Sequence, residues 1–169
     1  MVKSIVKNNR GVTLVELLIV LAISAILLGL VGISYSLVSN ANVSKAATRL
    51  TNIIRTARTT SMSKGTEAGK LTLYEQHGSV YARIGDGQPE VITKMPVTMT
   101  AKYATDYSDT TLASEIVSSE LRFTSSGMLR TAGIGDAQNK YNMFLLTNGR
   151  KNMKVLIYLE TGKVEVTLE

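Results

Sequence analysis

An unbroken run of 28 uncharged residues, 17–44, limits what this 169-residue chain can be more than any other feature. Its most apolar part, residues 17–37, makes a helix of about 31 Å at ~1.5 Å per residue, which matches a bilayer hydrocarbon core of about 30 Å. A buried core helix of this length does not suit so small a domain. A secretory signal peptide has a shorter apolar region and a small-x-small exit, and the run continues without one. Lys3, Lys7 and Arg10 precede it, so the positive-inside bias places that end in the cytoplasm and the remainder outside the membrane. A membrane anchor explains the length but not Glu16, which stands at the edge of the run. A carboxylate there costs about 1–3 kcal/mol unless it finds a partner, so Glu16 is a functional candidate.

Charge and composition exclude several classes. The formal charge is +6. Without the three cations of the first eleven residues, 16 basic residues face 13 acidic ones, so total charge is poor support for nucleic-acid binding. The absence of cysteine excludes a disulfide framework, a thiolate metal site and a cysteine nucleophile. The single histidine, His77, excludes a site that needs two imidazoles, and it reads as a turn residue before Gly78. Phe and Tyr at 5% are too sparse for a platform that stacks bases.

The segment Gly11-Val12-Thr13-Leu14-Val15-Glu16-Leu17-Leu18-Ile19-Val20 resembles the signal of type IV pilins and type II secretion pseudopilins. The resemblance implies that a membrane prepilin peptidase cuts between Gly11 and Val12 and N-methylates Val12, leaving Glu16 as the fifth residue of the mature chain. The family more often has Phe after the cut. A glycine before the cut lets the backbone enter a tight groove. In a packed bundle of helices, Glu16 of one subunit neutralises the Val12 amine of the next, an attraction strengthened by the low dielectric. The implied partners are the peptidase, other pilin subunits in a helical filament, an assembly platform protein with its ATPase system, and the cytoplasmic membrane. Gly29 and Gly32 are read either as points of close helix contact or as a place where the helix unwinds on assembly.

Beyond residue 44, Ala46, Leu50, Ile53, Ile54 and Ala57 recur at three and four, the signature of an amphipathic helix. It is expected to end near Ser63, before Gly65. Lys45, Arg49, Arg55 and Arg58 fall on other faces and read as solvated, with pairing between subunits as the alternative. Strands are expected at 70–76, 79–84, 90–94, 97–102, 120–124, 141–147, 153–159 and 163–168. Residues 103–119 read as a polar loop. The fold class is therefore α+β: a long N-terminal helix, membrane-spanning in its first half, packed on an antiparallel β-sheet C-terminal domain. The expected organisation is a cleaved leader 1–11, an assembly segment 12–38, an amphipathic helix 39–64 and a β-rich head 65–169. Ala57-Arg58, Phe123 with Gly127, and Gly162-Lys163-Val164 resemble short patterns of the GspH/FimT-type minor pilins and pseudopilins.

No catalytic constellation or cofactor site is visible. Gly133-Ile134-Gly135-Asp136 spells a peptidase motif but lacks the second aspartate and further spans, and is read as a turn. Asp106, Asp109 and Glu115 lack a calcium-loop spacing and read as solvated acids, so no metal is expected. Arg150, Lys151 and Lys154 form a basic hairpin tip beside Asn148-Gly149. It resembles the DNA-holding loop of uptake pilins, except that Asn152 stands where a second arginine would be. Three cations neutralise about three phosphates, which gives weak, salt-sensitive binding. The chain thus reads as a structural filament subunit, with a DNA-binding tip pilin as the alternative. An enzyme on a single anchor has almost no support.

Overall fold

The computed structural model describes residues 12–102, 114–115, 118–130 and 141–169, with side chains left out at 30–35, 114, 115 and 118. The leader 1–11 with Gly11, Asp106 and Asp109, the side chain of Glu115, and the turn 133–136 lie outside the described residues. The chain divides into two compact units, Met1–Leu37 and Val38–Glu169.

Helix α1, Leu14–Lys64, carries 51 residues and is followed, among the described residues, by nine strands: β1 Leu71–Gln76, β2 Ser79–Ile84, β3 Glu90–Thr93, β4 Thr98–Lys102, β5 Ser114–Glu115, β6 Ser118–Leu121, β7 Met143–Thr147, β8 Asn152–Ile157 and β9 Val164–Leu168. They form two sheets, ordered β3-β2-β1-β6 and β5-β4-β7-β8-β9, with antiparallel pairing throughout. The α+β expectation holds.

Within the second unit, α1 presents an apolar stripe. Val43, Ala46, Ala47, Leu50, Ile53, Ile54 and Ala57 are all buried. They meet Leu71, Leu73, Val80 and Ala82 from one sheet and Met99, Ala101, Phe144, Leu146, Val155 and Ile157 from the other, in a single cluster. The strands supply this core by alternation: β1 reads buried, half-buried, buried, half-buried from Leu71. Three alanines on the stripe let the backbones come close, and area burial of the larger residues contributes about 1.5–3 kcal/mol each.

The helix ends where the sequence predicts, with Gly65 N–H donating to Ser61 O at 3.1 Å. The chain then folds back directly onto the helix. A Cβ on Gly69 would sit 2.0 Å from Ser61 Oγ and 2.5 Å from Ala57 O, so no side chain fits at residue 69. Ser61 is completely buried, and its hydroxyl has no hydrogen-bond partner; its smallness is what the site uses. The β1–β2 hairpin turns on His77 and Gly78, both at positive φ (52° and 70°). That is the requirement of a two-residue primed turn.

Two expectations are corrected. Strand β6 lies at Ser118–Leu121 rather than 120–124, and β5 takes Ser114–Glu115, so 114, 115, 118 and 119 belong to ladders rather than to the expected loop 103–119. Residues 122–124 leave the sheet because they pair locally: Arg130 N–H reaches Arg122 O at 2.8 Å and Thr124 N–H reaches Met128 O at 2.9 Å. Phe123 then bridges Leu129 and is fully buried. Arg58, expected in solvent, is half-buried, and its Nε donates to Gly127 O at 2.9 Å. A Cβ on Gly162, at φ 63°, would lie 1.9 Å from Gly127 O and 2.9 Å from Arg58 Nε. The three fragments Ala57-Arg58, Phe123 to Gly127, and Gly162 therefore meet at one place.

Gly162→Ala combines strained φ with collision on backbone, and should destabilise the head by about 2–4 kcal/mol. Ser61→Ala removes an unpartnered hydroxyl and should change stability by less than about 1 kcal/mol. Urea midpoints of the detergent-solubilised full chain check both.

Candidate functional site

The N-terminal unit begins with a reciprocal hydrogen-bonded cap. Thr13 N–H and Thr13 Oγ1 both donate to Glu16 Oε2, at 2.9 and 3.0 Å, and Glu16 N–H donates to Thr13 Oγ1 at 3.2 Å. Thr13 is the N-cap and Glu16 the N3 residue of a capping box. This satisfies helix donors that would otherwise be bare and sets a negative charge on the positive end of the helix dipole. Thr13 is the functional residue missed in the sequence, where Thr-x-x-Glu before an apolar run was its signal. Val12 is exposed, one residue before the cap.

Past the cap, every large apolar side chain from Val12 to Leu28 that the structure describes is at least 50% exposed. Water does not tolerate such a surface on a monomer. Among the described residues no helix is long and apolar enough to cross a membrane. The expected segment 12–38 includes residues 30–35, whose side chains lie outside the description.

The basic hairpin tip is built differently from the sequence expectation. Asn148 is its hub. The Oδ1 atom accepts from Arg150 N–H at 3.0 Å and Lys151 N–H at 2.8 Å, closing an Asx-type turn. Its Nδ2 donates to Ser39 Oγ at 2.7 Å and Asn40 Oδ1 at 3.1 Å on α1. Lys151 Nζ donates to Ser44 Oγ at 2.7 Å, and Lys154 Nζ pairs with Glu169 Oε1 at 3.1 Å. Of the three cations read as one patch, Lys151 and Lys154 are engaged within the chain, and Arg150 is the exposed one. A charge count along the sequence cannot see these partners.

Elsewhere the helix offers little chemistry. An open groove of about 260 Å³ separates Arg49, Asn52 and Thr56 from Gly87, Gln88 and Glu90, with Arg49 Nη1 already donating to Val91 O at 3.4 Å. Among the described residues no group of three His, Asp or Glu could hold a metal ion.

Residues 6–32 match the family model of the prokaryotic N-terminal methylation motif, the prepilin-type signal of type IV pilins and pseudopilins. The chain carries a prepilin signal. The match stops at residue 32, so it speaks for the signal segment and not for the head. No curated protein and no solved structure matches the chain. The motif's family is structural rather than enzymatic, and a prepilin signal implies processing by prepilin peptidase and assembly with other pilins. Within it, Thr13 and Glu16 occupy the first turn of α1, where the cap fixes the carboxylate against its own helix end.

Thr13→Ala should remove about 1 kcal/mol from the first turn of the helix, and Thr13→Ser should retain most of it. Faster amide exchange at residues 14–17 of the alanine variant, compared with wild type in detergent, checks this. Asn148→Ala strips the links to Ser39 and Asn40 together with the turn's own acceptor, and should lower the urea stability of the head by about 1–3 kcal/mol.

Proposed function

We propose that this chain is a structural subunit of a type IV pilus or of a pseudopilus of the type II secretion kind. It waits in the cytoplasmic membrane through residues 12–38 with its leader in the cytoplasm, and then joins an extracytoplasmic filament. The prepilin signal carries the reading. The uncharged run 17–44 supports membrane residence, and the apolar side chains left bare on α1 support burial among the helices of neighbouring subunits.

On this reading the peptidase cleaves after Gly11 and methylates the new amine of Val12. Methylation keeps the positive charge, so the amine remains a partner for a carboxylate. Before assembly, one carboxylate oxygen of Glu16, Oε2, accepts both donors of Thr13 of its own chain. In the filament the Val12 amine of a neighbour competes for the same carboxylate, and a low-dielectric bundle favours the charged partner over neutral donors. Glu16 thereby sets the register of each new subunit. The assembly platform and its ATPase supply the work of extraction from the bilayer.

The meeting of Arg58, Gly127 and Gly162 supports a place among the GspH/FimT-type minor subunits, whose short patterns those residues resemble. The nucleic-acid alternative retains one exposed cation, Arg150, of the three on which it was based.

Mass spectrometry of sheared filaments tests the reading. A chain beginning at Val12 and about 14 Da heavy is expected, and an uncut chain in the membrane fraction would sink it. Gly11→Val should block cleavage. Glu16→Ala should leave cleavage intact and reduce filament incorporation at least tenfold; normal incorporation would refute the register role.

A further inference from the structure

We propose that the β7–β8 turn is a contact site for phospholipid headgroups in the membrane-resident subunit, with Arg150 as the residue that meets the phosphate. The inference rests on the membrane anchorage proposed above and deepens it.

Position is the first argument. The turn is bonded to α1 through Asn148 at Ser39 and Asn40 and through Lys151 at Ser44. Those residues follow directly on the apolar run, whose last large exposed members are Leu37 and Val38. A chain spans at most about 3.6 Å per residue, so Asn40 lies within about 11 Å of Leu37 whatever the local path. The headgroup layer on each side of the hydrocarbon is about 5–8 Å thick. A turn hydrogen-bonded at 39 and 40 therefore lies in or beside that layer when the run ends at the bilayer surface.

Charge is the second argument. Arg150 and, on the next helical turn, Lys45 are exposed cations at this end. Glu169 is brought here by its N–H to Asn152 O at 3.2 Å, but its carboxylate is matched by Lys154 at 3.1 Å. A guanidinium can hold a phosphate with two parallel hydrogen bonds. Rigidity is the third argument. Asn148 Oδ1 fixes the backbone N–H of Arg150 itself, so the residue is presented from an ordered turn and only its side chain loses freedom on contact. Gly149, with nothing within 4 Å of an added Cβ, leaves the space beside it open.

The test uses the full chain in vesicles. Since the chain has no cysteine, Asn152→Cys and Glu160→Cys each give a single dye position, one beside the turn and one in the β8–β9 connection. In phosphatidylcholine vesicles containing phosphatidylglycerol, nitroxide-labelled headgroups should quench the dye on Asn152→Cys several times more than that on Glu160→Cys. Adding Arg150→Glu should reduce that quenching to the Glu160→Cys level, and Arg150→Lys should preserve most of it. Equal quenching at both positions, or quenching indifferent to Arg150→Glu, would overturn the proposal. Alkaline carbonate treatment of the same vesicles separates the two levels. Extraction of the chain would overturn the anchorage and the headgroup contact together, whereas retention with equal quenching would overturn the headgroup contact alone. Loss of oligonucleotide retention in Arg150→Glu with unchanged quenching would assign the turn to nucleic acid and also overturn the proposal.

Discussion

The single core that one helical stripe shares with two sheets is the constraint on which the head depends. Leu50, Ile54 and Ala57 have no exposed surface, and neither do Phe144, Val155 and Ile157 opposite them. Small residues stand among the large ones on this stripe: Ala46, Ala47 and Ala57 share the cluster with Leu50, Ile53 and Ile54. The connection after the helix also runs close to it. Gly69 lies so close to Ser61 and Ala57 O that no Cβ can intervene, and the Arg58 side chain finds its acceptor on Gly127 only because Gly162 leaves room. Close packing of this kind transmits strain rather than absorbing it.

Outside that core, hydrogen bonds replace packing. The first turn of α1 is held by Thr13 and Glu16, and the start of the head's helical segment by Asn148 and Lys151. The loop after the helix is fastened by Arg122, which pairs with Glu67 and with Glu120. Ion pairs near the surface are worth little each, about 0–1 kcal/mol. The cap and the Asn148 hub differ because each satisfies backbone donors as well as joining side chains.

Much of this was readable in the residues, and what was not has physical causes. The recurrence of Ala46, Leu50, Ile53, Ile54 and Ala57 at three and four picked out residues that are all buried, but it left out Val43 and Ala47 and the buried Thr51, whose hydroxyl is satisfied by Ala47 O. Asn148-Gly149 and His77-Gly78 marked turns, since positive φ restricts which residues fit. The end of β6 was misplaced because Arg122 to Arg130 pairs with itself, and apolar alternation is the same in a local hairpin and in a sheet. Thr13 was hidden by the attention that Glu16 draws as a membrane carboxylate; one side chain serves both as cap and as candidate assembly charge. The partners of the basic tip were hidden for a related reason. Positive residues close in sequence are easy to count, but Ser44 and Glu169, which engage two of them, lie far away along the chain.

The links at Ser39, Asn40 and Ser44 also determine how the head bears load. A pull on the N-terminal end of α1 travels along the helix backbone and reaches Ser39 and Asn40 before the apolar stripe, which starts at Val43, with Ser44 next to it. Asn148 stands first in line through Ser39 and Asn40, ahead of Leu50 and Ile54. The turn is thus placed as a strain relief is on a cable: tension carried by the helix meets its hydrogen bonds before it meets the large side chains of the core.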